Sequence, residues 1–165
     1  MPVLSFTDVE NIVINAVNQL KKNTKLIDGI DIDKLIKHAI AIAYQESKFD
    51  TEAKNKKSTA SGLFQILVNT QKDIETRILK IPNANRSKIF DPDYSAYLAV
   101  AYLAYQIKRY KNDYKKAVIA YNLGSWNKQH QTAYSKKHFD IYASFFNKNT
   151  KISNNDFAYS RVEYR

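Results

Sequence analysis

The chain contains no cysteine, so no disulfide framework holds it and no thiolate is available for catalysis or metal binding. That absence leaves the redox compartment open. Its three histidines, His38, His130 and His138, are scattered and lack a spacing such as His-Glu-x-x-His. No metal site is expected, and no cofactor motif is present. No apolar run approaches the ~18 residues that a membrane-crossing helix needs. The first ten residues lack the basic segment and apolar stretch of a secretory leader. Glycine is scarce, with three in 165 residues, so each one marks a place of interest.

What is present is a chain of one-domain length, 44% hydrophobic, with regular periodicity. That combination excludes disorder and supplies enough apolar surface for a real core; residues 1–165 are read as a single domain and a monomer. The net charge is +10, which suits nucleic acid, anionic lipid or the charged bacterial envelope. The lysines form no single dense block and no helix-turn-helix signature appears, so nucleic acid is not an expected partner. Twelve tyrosines and eight phenylalanines provide core rings and surfaces on which sugars can stack.

Taken in order, Thr7-x-x-Glu10 reads as a capping box opening a helix with Val9, Ile12, Val13, Ala16, Val17 and Leu20 on one face. Asp28-Gly29 is a turn, and Asp31 or Asp33 caps the next helix. His38 falls off the centre of that helix's stripe and reads as a surface or core-edge residue. Residues 48–61 form a polar loop, and Gly62 to Val68 a short strand or extended turn. A helix over Asn69 to Leu79 turns Ile74 and Ile78 inward. Ile81 to Phe90 is a connector, because Pro82 breaks the helical pattern. Asp91-Pro92 starts a helix rich in rings, read as the central buried one. Asp113 caps a helix over Tyr114 to Leu123 that ends on Gly124, with Trp126 lining a cleft or covering the core. A last helix spans Tyr134 to Phe146 with Phe139, Tyr142, Ala143 and Phe146 as its stripe, followed by a polar loop over 147–155.

The stretch from Ala43 to Thr70 carries the chemistry. Ile32, Leu35, Ile36, Ala39, Ile40 and Ala43 form a buried stripe. At ~100° per residue Glu46 lies within roughly 40° of its middle. A carboxylate at the C-terminal end of an apolar face meets burial and the negative end of the helix dipole, and both raise its pKa. A raised carboxyl is what a general acid requires. The alternative is a helix that frays before Glu46 and leaves it solvated.

Glu46-Ser47, Phe49, Ser61-Gly62-Leu63-Phe64-Gln65-Ile66, Thr70, and later Ala120-Tyr121-Asn122-Leu123-Gly124 together resemble, in order and separation, the motifs of the soluble lytic transglycosylase catalytic domain. That family has a goose-type-lysozyme-like fold. The resemblance implies a mainly α, lysozyme-like α+β domain with at most a small β element near residues 62–68. It implies cleavage of the bond between N-acetylmuramic acid and N-acetylglucosamine in peptidoglycan glycan strands, with 1,6-anhydromuramyl products. Glu46 would act as acid and then base. Gln65 and Asn122 would hydrogen-bond sugar groups, Tyr121 would orient Glu46 or the substrate, and Phe64, where the family has Met, would supply apolar contact. Ser58 is the serine nearest the position of a family loop serine, and Tyr159 matches the last family motif with its spacing off by about one residue.

Rival readings differ in class. A lysozyme-type hydrolase would need a second carboxylate, for which Asp50, Glu52 and Asp91 are candidates. A glycan-binding domain without catalysis would not need to keep a costly carboxylate on an apolar face. A wall-directed enzyme without a leader would reach its substrate through a phage particle or lysis system, a secretion system, or after losing its leader.

Overall fold

The computed structural model describes residues 3–130 and 132–146. Six α-helices are found among them: α1 (Phe6–Asn23), α2 (Ile32–Ser47), α3 (Val68–Asp73), α4 (Pro92–Arg109), α5 (Tyr114–Leu123) and α6 (Ala133–Phe146). A π-helical turn (Ile74–Ile78) extends α3, and a 3-10 turn (Arg86–Phe90) precedes α4. The fold is mainly α, as the sequence implies.

α4 is the central helix. Its apolar and small residues are buried nearly all round, including Ala96, Leu98, Val100, Ala101, Leu103 and Ile107, and it packs against α1, α2 and α5. Asp91 caps it by accepting from the Asp93 and Tyr94 amides, with Pro92 in the first turn. Asp31 caps α2 through the Lys34 amide, and Asp113 caps α5 through the Lys116 amide. Gly124 ends α5 in the left-handed region at φ 88°.

Three local expectations are corrected. The capping box of α1 is Ser5 with Asp8, not Thr7 with Glu10. The earlier start brings Phe6 onto the packed face, where its ring meets Phe146 at 6.1 Å. His38 is buried at 4% exposure, because α6 covers a second side of α2. On α6 the buried positions are Ser135, His138, Ile141 and Phe145, one residue out of phase with the stripe read from its aromatic residues. The Ser135 hydroxyl donates to Thr132 O, and His138 Nε2 lies 2.8 Å from His38 Nδ1, while His138 Nδ1 is buried with no hydrogen-bond partner among the described residues.

The segment after Gly62 forms no strand. Gly62 (φ 82°) and Gln65 (φ 51°) are both left-handed, and they curl the chain back within four residues. Isolated bridges join Ser61 to Ile66 and Lys54 to Ser61. The expected Asn69 to Leu79 helix is α3 plus the π turn, in which the Leu79 amide reaches back to Ile74 O at 2.8 Å. The wider turn faces Glu75 into the protein at 0% exposure, which periodicity did not anticipate. Ile74 is buried and Ile78 half-buried.

Candidate active site

Glu46 stands in the last turn of α2, where Ser47, Lys48 and Phe49 fix the exit of the chain. The Ser47 hydroxyl is shared between Ala43 O at 3.0 Å and Leu63 O at 2.7 Å. The residue after the acid therefore ties its helix to the segment carrying Gln65. Lys48 (φ 52°) and Phe49 (φ 67°) follow in the left-handed region, a conformation that costs non-glycine residues about 1 kcal/mol or more each. The burial of Phe49, at 1% exposure, offsets that cost and holds the sharp exit.

Glu46 lines two adjoining spaces. One is a cavity of about 400 Å³ that also takes in Asn55, Ser58, Gln65, Thr70, Tyr102, Tyr121 and Asn122. The other is a groove of about 530 Å³ formed with Gln45, Asn122, Tyr134, Lys136, Lys137 and Asp140. Glu46 and Asn122 belong to both, so they mark the middle of one continuous cleft. Glu46 is the only carboxylate among the described residues lining the first cavity.

Burial pushes the Glu46 carboxyl up to about 7, against a smaller opposing effect of the Tyr134 hydroxyl that donates to it. That hydroxyl lies 2.6 Å from Oε2. Because it donates there, Oε1 is the oxygen left to carry a proton towards a ligand. Tyr134 is held in turn by Gln45, whose side-chain amide donates to Tyr134 O at 2.9 Å. Sequence reasoning missed Tyr134, since the α6 stripe read from its aromatic residues left this position outside it. Tyr159 lies outside the described residues.

The other expected residues are brought to the cleft with one exception. Asn122 is exposed at the end of α5 and borders both spaces. Gln65 lines the cavity, but both its amide protons are used internally, on Ala53 O and Gly62 O at 3.0 Å each. It therefore offers a ligand its carbonyl oxygen alone. Ser58 lines the cavity from the loop, its hydroxyl accepting from the Ala60 amide at 3.2 Å. Tyr121 lines the cavity too, but its hydroxyl donates to Phe64 O at 3.1 Å. It braces the backbone of the segment rather than Glu46 directly. Burial, and next the charge of Glu46, hold its phenol well above the usual tyrosine range, so it stays a donor.

Phe64 is the exception. Its side chain is fully buried at 0% exposure, because the Gly62–Gln65 curl turns the ring into the core, and it gives a ligand no apolar surface. Apolar surface at the cavity comes from Leu67 and Leu123, 40% and 48% exposed, and from Tyr102. Trp126 lies under Lys116, whose ammonium sits 4.1 Å from the ring centroid, away from both spaces. The candidate second carboxylates Asp50, Glu52 and Asp91 line neither space. Asp50 instead accepts from the Glu52 amide, and Asp91 caps α4. Among the described residues no group of three or more histidine or carboxylate side chains is placed to hold a metal ion.

Comparison with known proteins places this architecture. The chain matches the family described as the Transglycosylase SLT domain over residues 33–143, more than half its length, and it belongs to that family. Its fold is similar to an inactive mutant of the lytic transglycosylase Slt from Pseudomonas aeruginosa, with TM-score 0.54 and 22% identity. That match covers 90% of this chain and 22% of the other. It is similar also to the 70 kDa soluble lytic transglycosylase from Escherichia coli, with TM-score 0.51 and 20% identity, over 96% of this chain and 26% of that one. A structure of the 70-kDa soluble lytic transglycosylase with bulgecin A matches with TM-score 0.50 and 20% identity, over 97% and 28% of the two chains. The chain thus spans about a quarter of the length of these proteins. Among curated proteins none matches.

Proposed function

We propose that the protein is a peptidoglycan lytic transglycosylase acting on the bacterial cell wall. The observation that carries this reading is Glu46: a half-buried carboxyl that desolvation raises to about 7, set at the junction of two halves of a cleft. The glycan strand would lie along that cleft. Glu46 Oε1 gives its proton to the glycosidic oxygen as the bond to C1 of N-acetylmuramic acid breaks. The resulting carboxylate takes the proton of the muramyl 6-hydroxyl as that oxygen bonds to C1. The product is a 1,6-anhydro end, and Glu46 is again protonated. The nucleophile is tethered to the sugar being cut, so high effective molarity replaces a held water and its base. Asn122, Ser58 and the Gln65 carbonyl oxygen would bind polar groups of the sugars, and Tyr134 would hold Glu46 in place.

Asp140 favours one second reading. It is exposed in the groove that Glu46 and Tyr134 share, so a hydrolase using it as base is the alternative, in place of Asp50, Glu52 or Asp91. Purified peptidoglycan and the Glu46→Gln variant test the acid. Loss of the group should cost on the order of 10² to 10⁴ in turnover with the fold retained. A folded variant that clears wall at the normal rate would remove Glu46 from the mechanism.

A further inference from the structure

We infer that Arg86, which lies outside the cleft, is a positioning residue that sets the shape of its Ser58–Leu67 wall. The inference rests on the cleft assigned above. Arg86 opens the 3-10 turn before α4. Its guanidinium makes three contacts: Nη2 donates to Thr59 O at 2.5 Å and Ile66 O at 2.7 Å, and Nη1 donates to Gln71 Oε1 at 2.7 Å. Thr59 and Ile66 bracket the segment that delivers Gln65, and Ile66 O also accepts from the Ser61 amide. One planar cation thus closes both ends of the curl, a geometry that suits the fork of arginine and not the point charge of lysine.

Behind Arg86 stands a hydrogen-bond network built on two buried side chains, Gln71 and Glu75. Gln71, 2% exposed, accepts from Arg86 and donates from Nε2 to Glu75 Oε2 at 3.2 Å. Glu75, 0% exposed, also accepts from Asn83 Nδ2 at 2.6 Å, from the Ala84 amide at 3.3 Å and from the Tyr94 hydroxyl. The carboxamide of Gln71 therefore relays between a buried carboxylate and the guanidinium, and each partner fixes the orientation of the next. The π turn is what brings Glu75 inward to complete this chain of bonds. Independently, the turn that carries Arg86 abuts the curl at Gly62. A side chain there would place its Cβ 2.5 Å from Ile89 O, so only glycine lets the two backbones meet. Ser58, Gln65 and Leu67 line the cavity while Arg86 does not, which makes its effect on a ligand indirect.

The test uses the full chain. In the Glu46→Gln background, binding of stem-free glycan strands is measured by calorimetry with Arg86 intact, Arg86→Lys and Arg86→Met. Amide hydrogen exchange is followed over residues 59–66. In the otherwise unaltered enzyme KM and kcat are measured for the same Arg86 variants. We expect Kd and KM to rise about tenfold in Arg86→Met and less in Arg86→Lys. kcat should stay within about twofold, and the Gly62, Gln65 and Ile66 amides should exchange faster while α1 and α2 stay protected. Lower melting temperature with Kd and KM unchanged would make Arg86 merely structural and overturn the inference. So would unchanged exchange over 59–66. If Arg86→Met does not fold, Arg86→Lys decides on the same readouts. Failure of the Glu46→Gln parent to bind glycan would count against the cleft assignment, and KM together with exchange in the otherwise unaltered enzyme would still decide the role of Arg86.

Discussion

At the scale of single residues, the proposed role of Glu46 would link activity to stability through one ionisation. Its folded pKa of about 7 stands above the ordinary 4.5, so the native state favours the protonated form. Stability from this preference is complete below pH 4.5 and is lost as pH rises through 7, a loss of about 3 kcal/mol for a shift of this size. Glu46→Gln keeps a neutral side chain that can accept from Tyr134, so it should match the parent near pH 4.5 and exceed it above pH 7. Denaturant melts at pH 4.5 and 8 check this, and equal stability at pH 8 would mean that Glu46 ionises freely. The same ionisation should make kcat/KM fall as pH rises through about 7, because the general acid must start protonated. Gln65 and Asn122 should now separate. Gln65→Ala removes two bonds to Ala53 O and Gly62 O and should cost about 2 kcal/mol of stability as well as binding. Asn122→Ala, at an exposed position, should weaken glycan binding with little change in melting temperature. Paired calorimetry and melts decide, and the reverse pattern would misplace the cleft. Glu46 was legible in the sequence because it is polar where the α2 stripe demands an apolar residue. Phe64 was misread because periodicity does not show that Gly62 and Gln65 curl the chain and turn that ring inward.

Among the elements, α2 and α6 form the seam that holds Glu46. Tyr134 and His138 are one helical turn apart on α6, and His38 and Glu46 share α2. The His38–His138 contact thus joins the same two helices as the Tyr134–Glu46 bond. Burial holds His38 down at about 4, helped by the charge of Lys34, and burial followed by His38 holds His138 well below the usual imidazole range. Tyr142 and Tyr114 stack on His38 at 4.2 and 4.8 Å, and the Phe139 edge closes the cluster. A depressed histidine stabilises the fold above its unfolded pKa of 6.5, and that contribution is lost as pH falls towards 4. In the parent this trend opposes that of Glu46. Glu46→Gln should therefore unmask a rise in stability between pH 4 and 6.5, which His38→Phe/His138→Phe in the same background should flatten. A rise that persists without both histidines would assign it to other groups. Helix starts marked by Asp31, Asp91 and Asp113 could be read from sequence, because a side-chain cap is a local bond. The π turn, the phase of α6 and the burial of His38 could not, since each is decided by what packs against it.

On the scale of the molecule, the net charge is +10. The observed ion pairs Lys37–Asp33, Arg77–Asp73 and Lys116–Asp113 join residues only three or four apart. Lys136 and Lys137 line the groove together with Asp140 and Glu46, so charges of both signs face a ligand there. No described helix is long and apolar enough to cross a membrane. The central claim concerns what leaves the cleft, and weighing the products of purified peptidoglycan digested by the protein tests it most directly. A tethered nucleophile and a single acid predict 1,6-anhydromuramyl ends from the earliest times. Predominantly hydrated ends, heavier by one water, would contradict the account and direct attention to Asp140.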